Sequence, residues 1–72
     1  MNSWVGRDDE EVAYIHATCK VETPKALLCA LETGEELWVP KSLLKSDSQV
    51  TQKGDEGELA IPWWFAEREG VV

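Results

Sequence analysis

The most reactive side chains in this sequence are one histidine, His16, and two cysteines, Cys19 and Cys29. A catalytic base or nucleophile needs a partner group within hydrogen-bond reach and a pocket that excludes water. His16 instead alternates with Tyr14 and Thr18 along one parity of a β-type segment. This pattern predicts an exposed or interfacial histidine, and we expect the protein not to be an enzyme.

Both cysteines lie in apolar alternating segments, which favours two reduced core thiols in a cytosolic protein, with a disulfide as the alternative. A structural zinc site needs four ligands, whereas His16, Cys19 and Cys29 supply three without a paired-cysteine spacing. The sequence therefore predicts no metal site and no cofactor.

The glycine-bracketed segment Gly54-Asp55-Glu56-Gly57 is the other candidate for ligand chemistry. It lacks the lysine and hydroxyl residues of a phosphate-binding loop, and its two acids would repel phosphate. Its ligand spacing does not match that of a calcium loop either. We predict a tight turn.

Charge is concentrated at the two ends of this 72-residue chain, whose formal net charge is −7. Residues 1–11 carry one base against four acids, residues 12–53 carry five of each, and residues 54–72 carry one base against five acids. We predict an acidic N-terminal arm, 1–11, and one small β domain, 12–72. The acidity disfavours binding to nucleic acid or to an anionic membrane. A cytoplasmic location is expected, because neither a signal peptide nor a membrane-spanning segment is present in the sequence.

The middle of the chain has the period-two pattern of β-strands. In Val12–Glu22 the parity predicted to face inward consists of Ala13, Ile15, Ala17, Cys19 and Val21. Two further segments, 25–32 and 35–39, are predicted to form a hairpin through a three-residue turn of Glu32, Thr33 and Gly34. This register keeps Leu37 and Val39 with the larger apolar set, and it places Leu28 opposite Trp38 on the outer face.

Shorter elements are predicted in the last part of the sequence, from residue 41 onward. Residues 41–45 fit a short strand or a helical turn, 50–51 a further short strand, and 58–61 a last strand with Leu59 and Ile61 inward. A short helix is predicted over about 62–69, with Trp64 and Phe65 packed on the sheet and Trp63 on another side. The fold class is therefore mainly β with one short C-terminal helix, as a small SH3-like barrel or a strongly bent antiparallel sheet. Two packed layers are the weaker alternative.

Tryptophan and tyrosine are the best candidates for binding, because they bury large rigid areas at protein interfaces. The alternative is that the helix or the arm covers them. The predicted partner-binding residues are Trp4, Tyr14, His16, Leu28, Trp38 and Trp63.

Three motifs carry a resemblance to a known group: Glu36-Leu37-Trp38-Val39-Pro40-Lys41-Ser42, Gly54-Asp55-Glu56-Gly57-Glu58-Leu59-Ala60-Ile61 and Trp64-Phe65-Ala66-Glu67. They resemble small phage and prophage proteins with a W-[VI]-P-K-S segment, a G-x-x-G-x-L strand and a W-x-A helix. The resemblance covers residues 25–70. It implies a regulator or inhibitor in a bacterial cytoplasm that binds a host machine, with RNA polymerase as the nearest type. The net charge of −7 separately predicts that this partner has a basic surface. No contact residues are carried over.

The alternative function is an accessory protein that binds single-stranded nucleic acid by stacking bases on aromatic side chains. The five lysines of residues 12–53 favour it, whereas the acidic ends and the lack of arginine in that segment weigh against it.

Overall fold

A computed structural model describes residues 11–72. Trp4 and the rest of the predicted acidic arm up to Glu10 lie outside the described residues. The elements, in chain order, are β1 (Val12–Glu22), β2 (Ala26–Leu31), β3 (Glu36–Pro40), a 3-10 helix (Lys41–Leu43), β4 (Glu56–Pro62) and α1 (Trp63–Arg68).

The four strands form one antiparallel sheet in the order β3-β2-β1-β4. β1 is long enough to pair with two strands that overlap only partly. Its residues Val12 to Thr18 pair with β4, whereas Ala17 to Glu22 pair with β2. The prediction of a mainly β fold with one short C-terminal helix is confirmed. The sheet remains open, so the predicted barrel closure does not occur.

The β2–β3 hairpin has the predicted register. Leu31 N–H donates to the Glu35 carbonyl at 2.8 Å, and Gly34 N–H donates to the Leu31 carbonyl at 2.9 Å. Gly34 has φ 93°, a conformation that side chains with a Cβ rarely adopt. Cys29 therefore pairs with Leu37 and Leu28 with Trp38, as the sequence predicted.

The core lies on one face of the sheet, the inner face. Odd-numbered residues of β1, β2, β3 and β4 supply most of it, and α1 adds two adjacent side chains. The core consists of Ala13, Ala17, Cys19, Leu27, Cys29, Leu31, Leu37, Val39, Val50, Leu59, Ile61, Phe65 and Ala66. Ala60 and Pro62 are buried as well.

The segment 45–49 covers the outer edge of β4. Lys45 N–H donates to the Ala60 carbonyl, and Gln49 N–H donates to the Glu58 carbonyl, both at 2.9 Å. Gly57 has φ 152°, and a Cβ there would lie 3.1 Å from Gln49 Cβ, so both its backbone conformation and the close approach of this segment favour glycine. The short strand predicted at residues 50–51 is not present. Val50 is nevertheless fully buried.

Val21 does not lie in the core as predicted. The β1–β2 register shifts between Cys19 and Val21, so that Cys19 pairs with Cys29 and Val21 pairs with Leu28. The extra residue, Lys20, forms a β-bulge that reverses the parity of the strand beyond it. Val21 is consequently 41% exposed on the outer face.

Trp64 is the second correction to the predicted core. α1 has six residues and buries only Phe65 and Ala66, whereas Trp64 is 44% exposed. Its ring meets that of Phe65 edge-on, with the ring centroids 5.9 Å apart. A helix this short turns too few side chains toward the sheet to bury both aromatics.

Candidate protein-interaction surface

Three apolar side chains form a row across the outer face of the sheet. Val21 of β1 pairs with Leu28 of β2, which pairs with Trp38 of β3. Leu28 is half-buried between its neighbours, while Trp38 is 51% exposed. We call these three residues the tryptophan row.

The tryptophan row ends at an edge of the sheet. The hydrogen bond from Leu31 to Glu35 sets the alternation of the hairpin, so Leu37 and Val39 bond to β2. The backbone N–H and carbonyl of Trp38 therefore point away from β2, on the free side of β3. Within the described chain, β3 has β2 as its only neighbour in the sheet. Trp38 thus presents an exposed indole ring together with backbone groups that no strand of residues 11–72 pairs with.

A shallow depression of about 430 Å³ lies beside the tryptophan row on the same sheet. At this depression His16 Nε2 and Glu56 Oε2 lie 3.2 Å apart, within hydrogen-bond distance. The lining residues are His16, Thr18, Lys20, Ala30, Leu31, Glu32 and Glu56. Their mixed charges and open position indicate a polar contact surface.

Tyr14 lies further along β1 and is 52% exposed. Its hydroxyl donates to a carboxylate oxygen of Asp47 at 2.5 Å. This hydrogen bond is the main reason why the pKa of the Tyr14 phenol is raised above its usual value of 10.0. The phenol is therefore neutral at physiological pH and is oriented by the segment that covers β4.

The predicted binding residues do not form one continuous patch. Leu28 and Trp38 are adjacent, but Tyr14 is seven positions from Val21, or roughly 20 Å along the strand. His16 lies between these two groups. Trp63 is 42% exposed at the start of α1, where its backbone N–H donates to the Glu11 carbonyl. Trp4 lies outside the described residues.

Val21 is the binding candidate that the sequence pattern missed. Alternation assigns it to the core, and only the pairing of Cys19 with Cys29 and of Val21 with Leu28 shows the bulge. A lysine between two apolar residues was the available signal, and it does not distinguish a bulge from ordinary alternation.

Acidic side chains accompany the aromatic residues of the outer face. Glu36 shares the face of β3 with Trp38, and Glu58 lies on β4 beside His16. The nearby cation Lys41 is held by Glu22, with Nζ and Oε2 2.6 Å apart. The charges around the tryptophan row are therefore mixed, with Glu36 on its face of β3 and Lys20 adjacent to Val21.

The structure offers little for other kinds of site. Cys19 and Cys29 are both buried free thiols, as predicted for a reduced core. Among residues 11–72, no three His, Cys, Asp or Glu side chains are grouped to hold a metal ion. In the same range, no helix is long and apolar enough to cross a membrane.

Comparisons with protein-family models, with curated proteins and with solved structures give no match for this chain.

Proposed function

We propose that this protein is a small acidic interaction module that binds a partner protein through the tryptophan row. The observation that carries the proposal is the in-register alignment of Val21, Leu28 and Trp38, which ends in a half-exposed tryptophan on an edge strand. Tryptophans in such positions dominate the binding energy of protein interfaces.

The exposed area of the Trp38 side chain is large enough to contribute substantially to the free energy of binding. Covering roughly 100 Å² of apolar surface is worth about 2.5 kcal/mol. Leu28 and Val21 extend the same surface without a gap, because cross-strand neighbours lie about 5 Å apart. An apolar side chain of a partner inserted beside Trp38 would contact Trp38 and Leu28, and a second one would reach Val21, since β1 and β3 lie about 10 Å apart.

Charge indicates the class of partner. The chain carries −7, and Glu36 lies two positions from Trp38 on the same face. A partner with Lys or Arg around an apolar anchor would be attracted and oriented by this field. The alternative of single-stranded nucleic acid is disfavoured, because Glu36 would repel a phosphate backbone at the tryptophan best placed for base stacking.

The motif resemblance makes a host machine in the bacterial cytoplasm the partner class that we propose, with RNA polymerase first. In this proposal the module regulates or inhibits transcription by direct binding. It performs no catalysis of its own.

The test measures binding of purified bacterial RNA polymerase to the immobilised protein. Trp38→Ala is expected to weaken binding by at least about tenfold, since hot-spot truncation costs more than 1.4 kcal/mol. Trp63→Ala, which removes an exposed tryptophan at the other end of the molecule, is the matched control and should have a smaller effect. Thermal unfolding followed by circular dichroism verifies that both variants are folded.

Two results would contradict the proposal. If both Trp38→Ala and Leu28→Ala bind as well as the wild type, the tryptophan row is not the binding site. If the wild-type protein does not bind, RNA polymerase is not the partner. Quenching of tryptophan fluorescence by a single-stranded oligonucleotide, lost as salt rises, would instead support the alternative function.

A further inference from the structure

Cys19 and Cys29 face each other directly across β1 and β2 on the inner face of the sheet. The two residues are 2% and 0% exposed. The Cys19 thiol donates to the Val21 carbonyl at 3.3 Å. As direct partners in the register of β1 and β2, Cys19 and Cys29 are cross-strand neighbours.

The backbone shows which kind of cross-strand pair this is. Cys19 N–H donates to the Asp55 carbonyl, and the Cys19 carbonyl accepts from Gly54 N–H, both at 2.9 Å. Since both backbone groups of Cys19 point away from β2, its pair with Cys29 is not hydrogen-bonded. The Cα atoms of such antiparallel pairs lie about 4.5 Å apart. A disulfide requires roughly 4.4–6.8 Å, so the strands need no rearrangement to accept one.

We propose that Cys19 and Cys29 form a reversible dithiol–disulfide site that is oxidised by low-molecular-weight disulfides such as oxidised glutathione. The proposal does not depend on the proposed function. It adds a covalent modification to the face of the sheet opposite the tryptophan row, next to the bulge that turns Val21 outward.

The exchange balances without a further reactant. The Cys19 thiolate attacks one sulfur of R–S–S–R, which forms a mixed disulfide and releases R–S⁻, and this thiolate takes up a proton. The Cys29 thiolate then attacks the Cys19 sulfur and displaces the second R–S⁻, which is likewise protonated. Two protein thiols are oxidised to one S–S bond, and R–S–S–R is reduced to two R–SH.

Cys19 is taken as the first nucleophile because it is the less completely buried residue, 2% exposed against 0% for Cys29. Burial raises the pKa of both thiols. The Cys29 pKa is raised to about 12, chiefly by burial and then by Cys19. Since the thiolate is the reactive form, the rate should increase with pH.

The experiment measures the equilibrium between the 72-residue protein and glutathione, so the result does not depend on how slowly glutathione reaches the buried sulfur atoms. Protein unfolded in guanidinium is refolded in buffers of graded reduced-to-oxidised glutathione ratio, quenched with acid and analysed by intact mass. We expect loss of two hydrogen atoms, a Cys19–Cys29 cross-link in peptide maps and reversal by dithiothreitol. The equilibrium constant for closure should be at least about tenfold larger in native buffer than in guanidinium, because the fold brings the thiols together.

A matched control moves one thiol to the other face. In Cys29→Ser/Ala30→Cys the two cysteines keep nearly the same separation in sequence, but residue 30 pairs with Thr18 on the outer face. This variant should give mixed glutathione disulfides in native buffer instead of an internal bond. Equal closure constants with and without guanidinium, or closure of the control as readily as the wild type, would overturn the proposal.

Discussion

At the scale of single residues, two polar side chains of the segment 45–49 accept hydrogen bonds from backbone N–H groups on the edge of β4 that has no neighbouring strand among the described residues. Ser48 Oγ accepts from Ala60 N–H at 3.1 Å, and Gln49 Oε1 accepts from Glu58 N–H at 2.8 Å. Ala60 is completely buried, so its N–H has no access to water as an alternative partner. These two side chains therefore contribute to the sheet as backbone groups would.

Ser48→Ala is expected to destabilise the protein by about 1–3 kcal/mol, because it leaves the buried Ala60 N–H without its acceptor. Ser46→Ala, an exposed change in the same loop, should stay within about 0.5 kcal/mol of the wild type. Urea unfolding followed by tryptophan fluorescence gives both values. Equal stabilities of the two variants would contradict the role assigned to Ser48.

Two carboxylates make stability depend on acid pH. Hydrogen bonds from the Lys41 ammonium and then from Lys53 N–H lower the pKa of Glu22 below its ordinary 4.5. Hydrogen bonds from the backbone and hydroxyl of Thr51, and from Gln52 N–H, lower the pKa of Asp55 below 3.8.

Because the pKa values of both groups are lower in the folded than in the unfolded chain, their stabilisation is present above the unfolded values. It is lost as pH falls through the folded values. The free energy of unfolding should therefore fall steadily from about pH 5 downward. Glu22→Gln and Asp55→Asn should lower stability at pH 7 and converge on the wild type in acid. Urea unfolding measured across this pH range gives the free energy of unfolding of each protein. A constant difference between wild type and variants at every pH would contradict the role of these two carboxylates.

At the scale of elements, the β-bulge at Lys20 decides which side chains β1 offers to each face. Before it, Ala13, Ala17 and Cys19 pack inward in simple alternation. After it, Glu22 pairs with Leu27 at the end of the sheet, and Val21 joins Leu28 on the outer face. One inserted residue thus completes the tryptophan row.

Substitutions in β1 and β2 should change the free energy of unfolding by different amounts on the outer and inner faces. Val21→Thr, at a 41% exposed position, is expected to change stability by less than about 0.5 kcal/mol. Leu27→Ala, at a fully buried position in the neighbouring strand, should cost about 2–5 kcal/mol. Chemical unfolding compares them directly, and a large loss for Val21→Thr would mean that Val21 packs in the core.

At the scale of the whole molecule, the two faces of the open sheet differ in burial. α1 and the loops after β3 cover the inner face, while the outer face carries the tryptophan row. Under the proposed function, substitutions on the outer face should alter partner binding with little effect on the free energy of unfolding.

The net charge of −7 predicts how binding to a basic partner depends on salt. The association rate constant should fall as salt rises, because the attraction is screened over about 8–10 Å at physiological ionic strength. Glu36→Gln should lower mainly the association rate, and Trp38→Ala should raise mainly the dissociation rate. Biolayer interferometry at several salt concentrations measures both. An association rate independent of salt would contradict electrostatic attraction.

Local patterns predicted much of the architecture because alternation and turn chemistry act over a few residues. The Glu32-Thr33-Gly34 turn, the pairing of Leu28 with Trp38 and the burial of Phe65 are all confirmed. The exposure of Trp38 and Trp63 on the described surface also agrees with their predicted parity and helix side. The grouping of the binding candidates was harder to predict, because the relative offset of β2 and β4 along β1 separates Tyr14 from the tryptophan row.

The fold class, the hairpin register and the excess of acid follow from residue type and short-range spacing, so they could be predicted from the sequence. The open sheet, the outward position of Val21 and the pairing of Cys19 with Cys29 depend on how distant strands align, and a single bulge changes that alignment without a distinct local pattern. The exposure of Trp64 depends on the length of α1, which ends after six residues.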